Sequence, residues 1–187
     1  MHQSLATRLW PQAADSLLAK TILVLAGSLL LALSAKVQVP FWPVPMTMQT
    51  FVVLGIGAAY GARMAGVTVA AYLAQGAMGL PVFSAGGGLV LLAGPTGGYL
   101  LGFLAAAVVV GAMADRGFCR TRLSTLGAFL AGTAVIFAMG VAWLTVLFGF
   151  STALSAGVVP FLTSEAVKIA LAVAVFPMAW KLADRRG

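Results

Sequence analysis

Residues 160–180, PFLTSEAVKIALAVAVFPMAW, form an unbroken apolar stretch interrupted by one acid and one base. A bilayer core takes roughly 20 apolar residues as helix, so this stretch can cross a membrane, and five others read the same way. The spans fall near residues 16–35, 47–62, 64–79, 96–114, 123–150 and 160–182. Composition agrees. Of 187 residues, 61% are hydrophobic and 8% charged, and four acids plus eleven bases cannot clothe a water-facing domain of that length. The 22 glycines, spread among Ala and Ser, suit helices packed closely in lipid. No series of ten-residue alternating segments marks a β-barrel. The expectation is an all-α membrane protein, one integral domain over residues 1–187 with six transmembrane helices.

The bases sort by side. With an even number of spans both termini lie together, and that side holds Arg8, Lys20, Arg63, Arg116, Arg120, Arg122, Lys181, Arg185 and Arg186. The opposite side keeps Lys36, and Lys168 lies within a span. Such an excess places both termini in the cytoplasm. Topology thus accounts for the net charge of +7, and no nucleic-acid partner is expected. The segment MHQSLATRLWPQAAD lacks the pattern of a cleaved signal and reads as an amphipathic lead-in, with Trp10 at the interface. His2 and Cys119 are the single histidine and cysteine, so neither a metal site, a cofactor nor an internal disulfide is expected.

Glu165 and Lys168 share a helix face at three-residue spacing. They read either as a self-neutralising pair near a helix end or as a ligand site, because intramembrane charges usually face a cavity. An acceptor-only carboxylate beside a donor-only ammonium suits a small solute carrying both N–H groups and a carbonyl or carboxylate. The segment AGPTGGYLLG, 93–102, has no Lys-Ser/Thr after its glycines and is not a nucleotide loop. Thr96 is a candidate N-cap, and backbone at Gly97 and Gly98 is positioned either to receive a carboxylate or to let helices approach. The loop 79–99 carries no charge and is expected to tuck against the bundle as a lid or re-entrant segment. Small residues recur at Ala62, Gly66, Ala70 and Ala74, read as internal packing, and at Ser28 and Ala32, left open. An intramembrane enzyme would need a nucleophile–base pair or metal cluster, and a channel a polar stripe through several spans; the chain suggests neither.

Three motifs, VPFWPVPMTMQTFVVL (39–54), GLPVFSAGGG (79–88) and GPTGGYLLGF (94–103), followed by Glu-x-x-Lys in the last span, resemble the BioY biotin transporters. These are the substrate-binding S components of energy-coupling factor transporters. The resemblance implies the S-component fold, biotin as ligand beneath the two outer loops, an integral coupling protein and two cytoplasmic ATPases as partners, and a prokaryotic inner (plasma) membrane. It leaves open a homo-oligomer and a different vitamin-like solute. On this reading Glu165 accepts from the ureido N–H groups and Lys168 meets the ureido oxygen or the carboxylate. Phe83 and Tyr99 wall the rings, Gly86, Gly87 and Gly88 let the loop close, Thr96, Gly97 and Gly98 flank the pocket, and Thr47 and Gln49 join it. The Ser28/Ala32 face is the expected partner contact. The chain departs from the family's frequent Asp-x-x-Lys by carrying Glu165, has a shorter glycine loop, and contains no Asn.

Overall fold

The computed structural model describes residues 4–11 and 16–184; His2, Arg185 and Arg186 lie outside them. Helix α1, Leu5–Leu9, is capped by Ser4, whose Oγ accepts from the Thr7 amide at 3.3 Å. Its Leu5 is buried against Trp180 and Ala183, and Arg8 pairs with Asp184 at 3.1 Å, so the lead-in is strapped to the far end of the chain. Helix α2 spans Leu17–Lys36 behind the Ser16 cap. Strands β1, Gln38–Val39, and β2, Met46–Thr47, pair antiparallel with Gln38 opposite Thr47. Then follow α3 (Gln49–Ala77), α4 (Leu89–Ala93), α5 (Gly97–Ala114) and α6 (Arg122–Phe148). After these come α7 (Phe150–Gly157), a single 3-10 turn (Val159–Phe161) and α8 (Leu162–Asp184).

Among the described residues, five segments are long and apolar enough to cross a membrane: α2, α3, α5, α6 and the stretch Phe150–Asp184. The second covers two of the spans read from sequence. Inside α3, Gly61 has φ +77° and ψ 170°, outside the helical region. The amide of Gln49 donates to the Tyr72 hydroxyl at 2.6 Å, although 23 residues of straight helix would separate them by roughly 34 Å. The chain therefore turns back at Gly61, and 49–60 lies beside 62–77. The turn is held from α5, where Asp115 Oδ2 accepts the Ala62 N–H at 3.0 Å. A Cβ at Gly61 would collide with that carboxylate.

Helix α5 is the central rod, and small residues bring its neighbours in. Gly111 meets the backbone of Ala62, Gly102 meets Ile136 of α6, and Gly98 meets Trp143. Helix α8 docks on α6 through Phe129 and Phe176, with ring centroids 5.4 Å apart. The sequence reading of the small-residue ridges needs correction. Gly66 packs near Val108, but Ala70 and Ala74 further along the same ridge are exposed. Ser28, expected to face a partner, is 2% exposed and bonds Gln75 of α3, with Gln75 Nε2 donating to Ser28 Oγ at 3.1 Å. Ala32 is half-buried and packs on the main core. Neither offers an outward docking face, because their side of α2 covers α3.

Arg63, beside the Gly61 turn, lies at the same end as Arg116, Arg120 and Arg122 of the α5–α6 connection and as Arg8 and Lys181. Arg120 stacks on Trp180 of α8 at 4.4 Å. Cys119 in that connection is fully buried, and burial pushes its thiol up to about 12. It therefore stays protonated and shielded near neutrality, which argues against palmitoylation. A soluble maleimide should label it only after denaturation; rapid labelling of folded protein would contradict this burial. Gly61→Ala should lower stability by about 1–3 kcal/mol, the cost of a side chain in a glycine-only conformation, read as a drop in thermal midpoint in detergent.

Candidate functional site

The last helix begins just after the turn Val159–Phe161, which sets Glu165 and Lys168 one turn inside α8, facing the start of α3. They are 4% and 7% exposed, so both charges have left solvent and lipid alike. Lys168 Nζ donates to Glu165 Oε1 at 2.7 Å, to Thr50 Oγ1 at 2.9 Å and to the Thr47 carbonyl at 2.6 Å. Thr50 Oγ1 in turn donates to Glu165 Oε1 at 2.8 Å. An ammonium has three N–H groups, and all three are satisfied. Glu165 Oε1 takes two bonds, whereas Oε2 takes none among the described residues.

The pair stands on the wall of a cavity. One compartment is lined by Glu165, Lys168, Thr50, Thr47 and the aromatic residues Tyr99, Phe103, Phe137 and Phe161. Phe161 stacks on Tyr99 at 6.5 Å and meets Phe137 edge-on at 6.1 Å. Tyr99 is fixed by donating its hydroxyl to the Gly157 carbonyl at 2.7 Å. A second compartment shares Val44, Pro45, Thr47, Tyr99 and Phe103 with the first and adds Gln49, Phe83, Ser84 and Thr96. The whole is an elongated apolar chamber with an acid at one end and a few neutral polar groups at the other, the usual make-up of a small-molecule site.

Of the residues expected from sequence, Glu165, Lys168, Thr47, Gln49, Phe83, Thr96 and Tyr99 line this chamber. The glycines take a different place. Gly86 exchanges backbone hydrogen bonds with Phe83, and the Gly88 amide donates to the Gly76 carbonyl at 2.7 Å. Gly87 lies against the backbone of Leu80. They shape the loop that delivers Phe83 and Ser84, and none is on the wall. Gly97 and Gly98 are closed off by the Leu92 carbonyl and Trp143. Thr96 does hold the N-cap position of α5 but makes no side-chain cap bond: its hydroxyl donates to Leu91 O at 3.3 Å while the Gly97 amide bonds Gly94 O at 3.0 Å. The outer loop does tuck in, with the Phe83 ring 5.4 Å from Tyr72 and 3% exposed.

Sequence reasoning missed Thr50, Phe103, Phe137 and Phe161. Thr50 is three residues after Thr47, which the sequence reading put on the same span, and Phe161 is four before Glu165, so this spacing from residues already singled out was the available signal, although Thr47 in fact ends β2. Phe137 carries no such mark among many apolar neighbours. Thr50→Val should strip a donor from Glu165 and an acceptor from Lys168, costing about 1–3 kcal/mol for unmet buried polar groups. An unchanged thermal midpoint in that variant would show the threonine to be dispensable to the pair.

The chain matches the BioY family over residues 4–185. It is 36% identical over 148 residues to the biotin transporter BioY of Thermotoga maritima, covering 78% of this chain and 86% of that protein. With the biotin transporter BioY of Rhizobium etli it shares 33% identity over 161 residues, 81% and 86% of the two chains. Among solved structures it superposes, at TM-score 0.76 and 22% identity, on the S-component for biotin from an ECF-type ABC transporter. That match covers 88% of this chain and 92% of the other and establishes a common fold.

Proposed function

The chain belongs to the BioY family, and from that premise we propose that it is a biotin-binding membrane subunit that mediates biotin uptake. The observation that carries the reading is the Glu165–Lys168 pair, buried on the wall of an aromatic-lined chamber instead of facing lipid. Biotin has a ureido ring with two N–H donors, an apolar sulfur ring and a carboxylate tail. In this reading Glu165 Oε2 accepts from the ureido N–H groups, and Tyr99, Phe103, Phe137 and Phe161 enclose the fused rings. Lys168 holds the carboxylate in place, and Thr50 bonds both. Charge-assisted hydrogen bonds of this kind contribute about 1.5–3 kcal/mol.

The chain makes six crossings as one membrane domain, with 49–60 and 62–77 counted separately, and its basic end faces the cytoplasm of a prokaryotic cell. It has no motor in the chamber, so transport draws on an integral coupling protein and two cytoplasmic ATPases. A solute other than biotin is the competing reading, and the aromatic walls beside an acid favour a fused, N–H-bearing heterocycle. Titration of purified protein decides between them. Glu165→Gln should weaken biotin binding by about 10- to 100-fold. Lys168→Met should abolish it by leaving a buried carboxylate without a partner. Wild-type affinity in both variants would reduce the pair to a structural role.

A further inference from the structure

We infer that Lys36 selects ligands that carry a free carboxylate, at the end of the chamber remote from Glu165. The inference specifies the biotin reading above and rests on it. Its starting point is that the buried lysine has nothing left to offer. Lys168 spends its three N–H groups on Glu165, Thr50 and Thr47, and its charge is balanced by Glu165. A ligand carboxylate brought there would compete with Glu165 for the same ammonium. The start of α5 is also closed, since the Gly97 amide is bonded to Gly94 O and Trp143 and the Leu92 carbonyl fill the approach at Gly97 and Gly98.

One other cation stands at this end of the molecule among the described residues. Lys36, the last residue of α2, donates from Nζ to the Phe83 carbonyl at 2.8 Å. Among the described residues that is its single hydrogen bond, so two N–H groups remain for an acceptor. Phe83 and the following Ser84 line the second compartment. A heterocycle seated against Glu165 sends its tail past Val44, Pro45, Thr47, Tyr99 and Phe103, the residues the compartments share, and on toward Phe83 and Ser84. Lys36 lines neither compartment itself; its link to this end of the chamber is the hydrogen bond to Phe83, and on this inference the tail reaches it there. The charge balance is complete on this assignment: Glu165 against Lys168, and ligand carboxylate against Lys36. Lys36 is exposed, so its contribution is that of a partly screened ion pair.

The test compares biotin with its neutral terminal amide, titrated calorimetrically into the full chain in lipid nanodiscs. Wild-type protein should prefer biotin by roughly 1.5-fold to fivefold, the range of a partly exposed ion pair. In Lys36→Gln the preference should vanish through loss of biotin affinity alone, and Lys36→Arg should restore most of it. Because Lys36 also holds the loop at Phe83, a purely structural role would weaken acid and amide equally and leave their ratio unchanged. A Lys36→Gln protein that keeps the wild-type ratio, or a wild-type protein that binds acid and amide alike, overturns the assignment while leaving biotin binding intact. A wild-type protein that binds neither compound removes the biotin reading, and this inference with it.

Discussion

The half of the molecule opposite the basic end is organised by a single ammonium group. Lys168 in the bilayer region is tolerable only because three oxygens from three places in the chain surround it: a carboxylate from its own helix, a hydroxyl from the first turn of α3, and a carbonyl from the end of the β-hairpin. Each of these acceptors is thereby held in place. Removing water from an ion pair carries a penalty that attraction repays only when the remaining hydrogen-bonding capacity is filled. Here the cation is filled and the anion is not, since Glu165 Oε2 has no protein partner among the described residues. The asymmetry is what the proposed binding role rests on: the lysine is fully committed, and one carboxylate oxygen is without a protein partner among the described residues.

That arrangement depends on the reversal at Gly61. Were α3 a straight rod, Thr50 and Tyr72 would lie at opposite faces of the membrane. Folded back, α3 brings Gln49 to Tyr72 and lets the Tyr72 hydroxyl donate to the Val82 carbonyl at 3.2 Å. A continuous set of contacts then runs from Lys168 through Thr47, Gln49 and Tyr72 to the loop that carries Phe83. The same reversal puts Ala62 against Gly111, so the close packing at the basic end and the polar cluster at the opposite end share one cause.

Much of this was legible in the sequence because lipid makes polarity informative. The long helices follow from apolar length, and Glu165 and Lys168 stand out as charges in an apolar segment. The reversal was visible as two short spans separated at Arg63, although the residue that makes it, Gly61, lies just before the assigned gap. What stayed hidden is whatever hydropathy treats as equivalent. Phe103, Phe137 and Phe161 read like any other core phenylalanine, yet they make the aromatic wall. Gly97 and Gly98 look the same whether a ligand or a tryptophan approaches, and here it is Trp143. The spacing of Ser28 and Ala32 identifies a small-residue face but not its direction, which the Gln75 hydrogen bond turns inward. Lys36 was read as a minority charge in a topology count, because its reach to Phe83 spans 47 residues of chain.

The central claim is that the open oxygen of Glu165 receives a ligand's N–H groups inside the aromatic chamber. An experimental structure of the biotin complex tests it most directly. The account predicts a ureido nitrogen within hydrogen-bonding distance of Glu165 Oε2, with the fused rings between Tyr99, Phe137 and Phe161 and the bonds around Lys168 kept. Biotin seated elsewhere, with Glu165 bonded to protein alone, would contradict it.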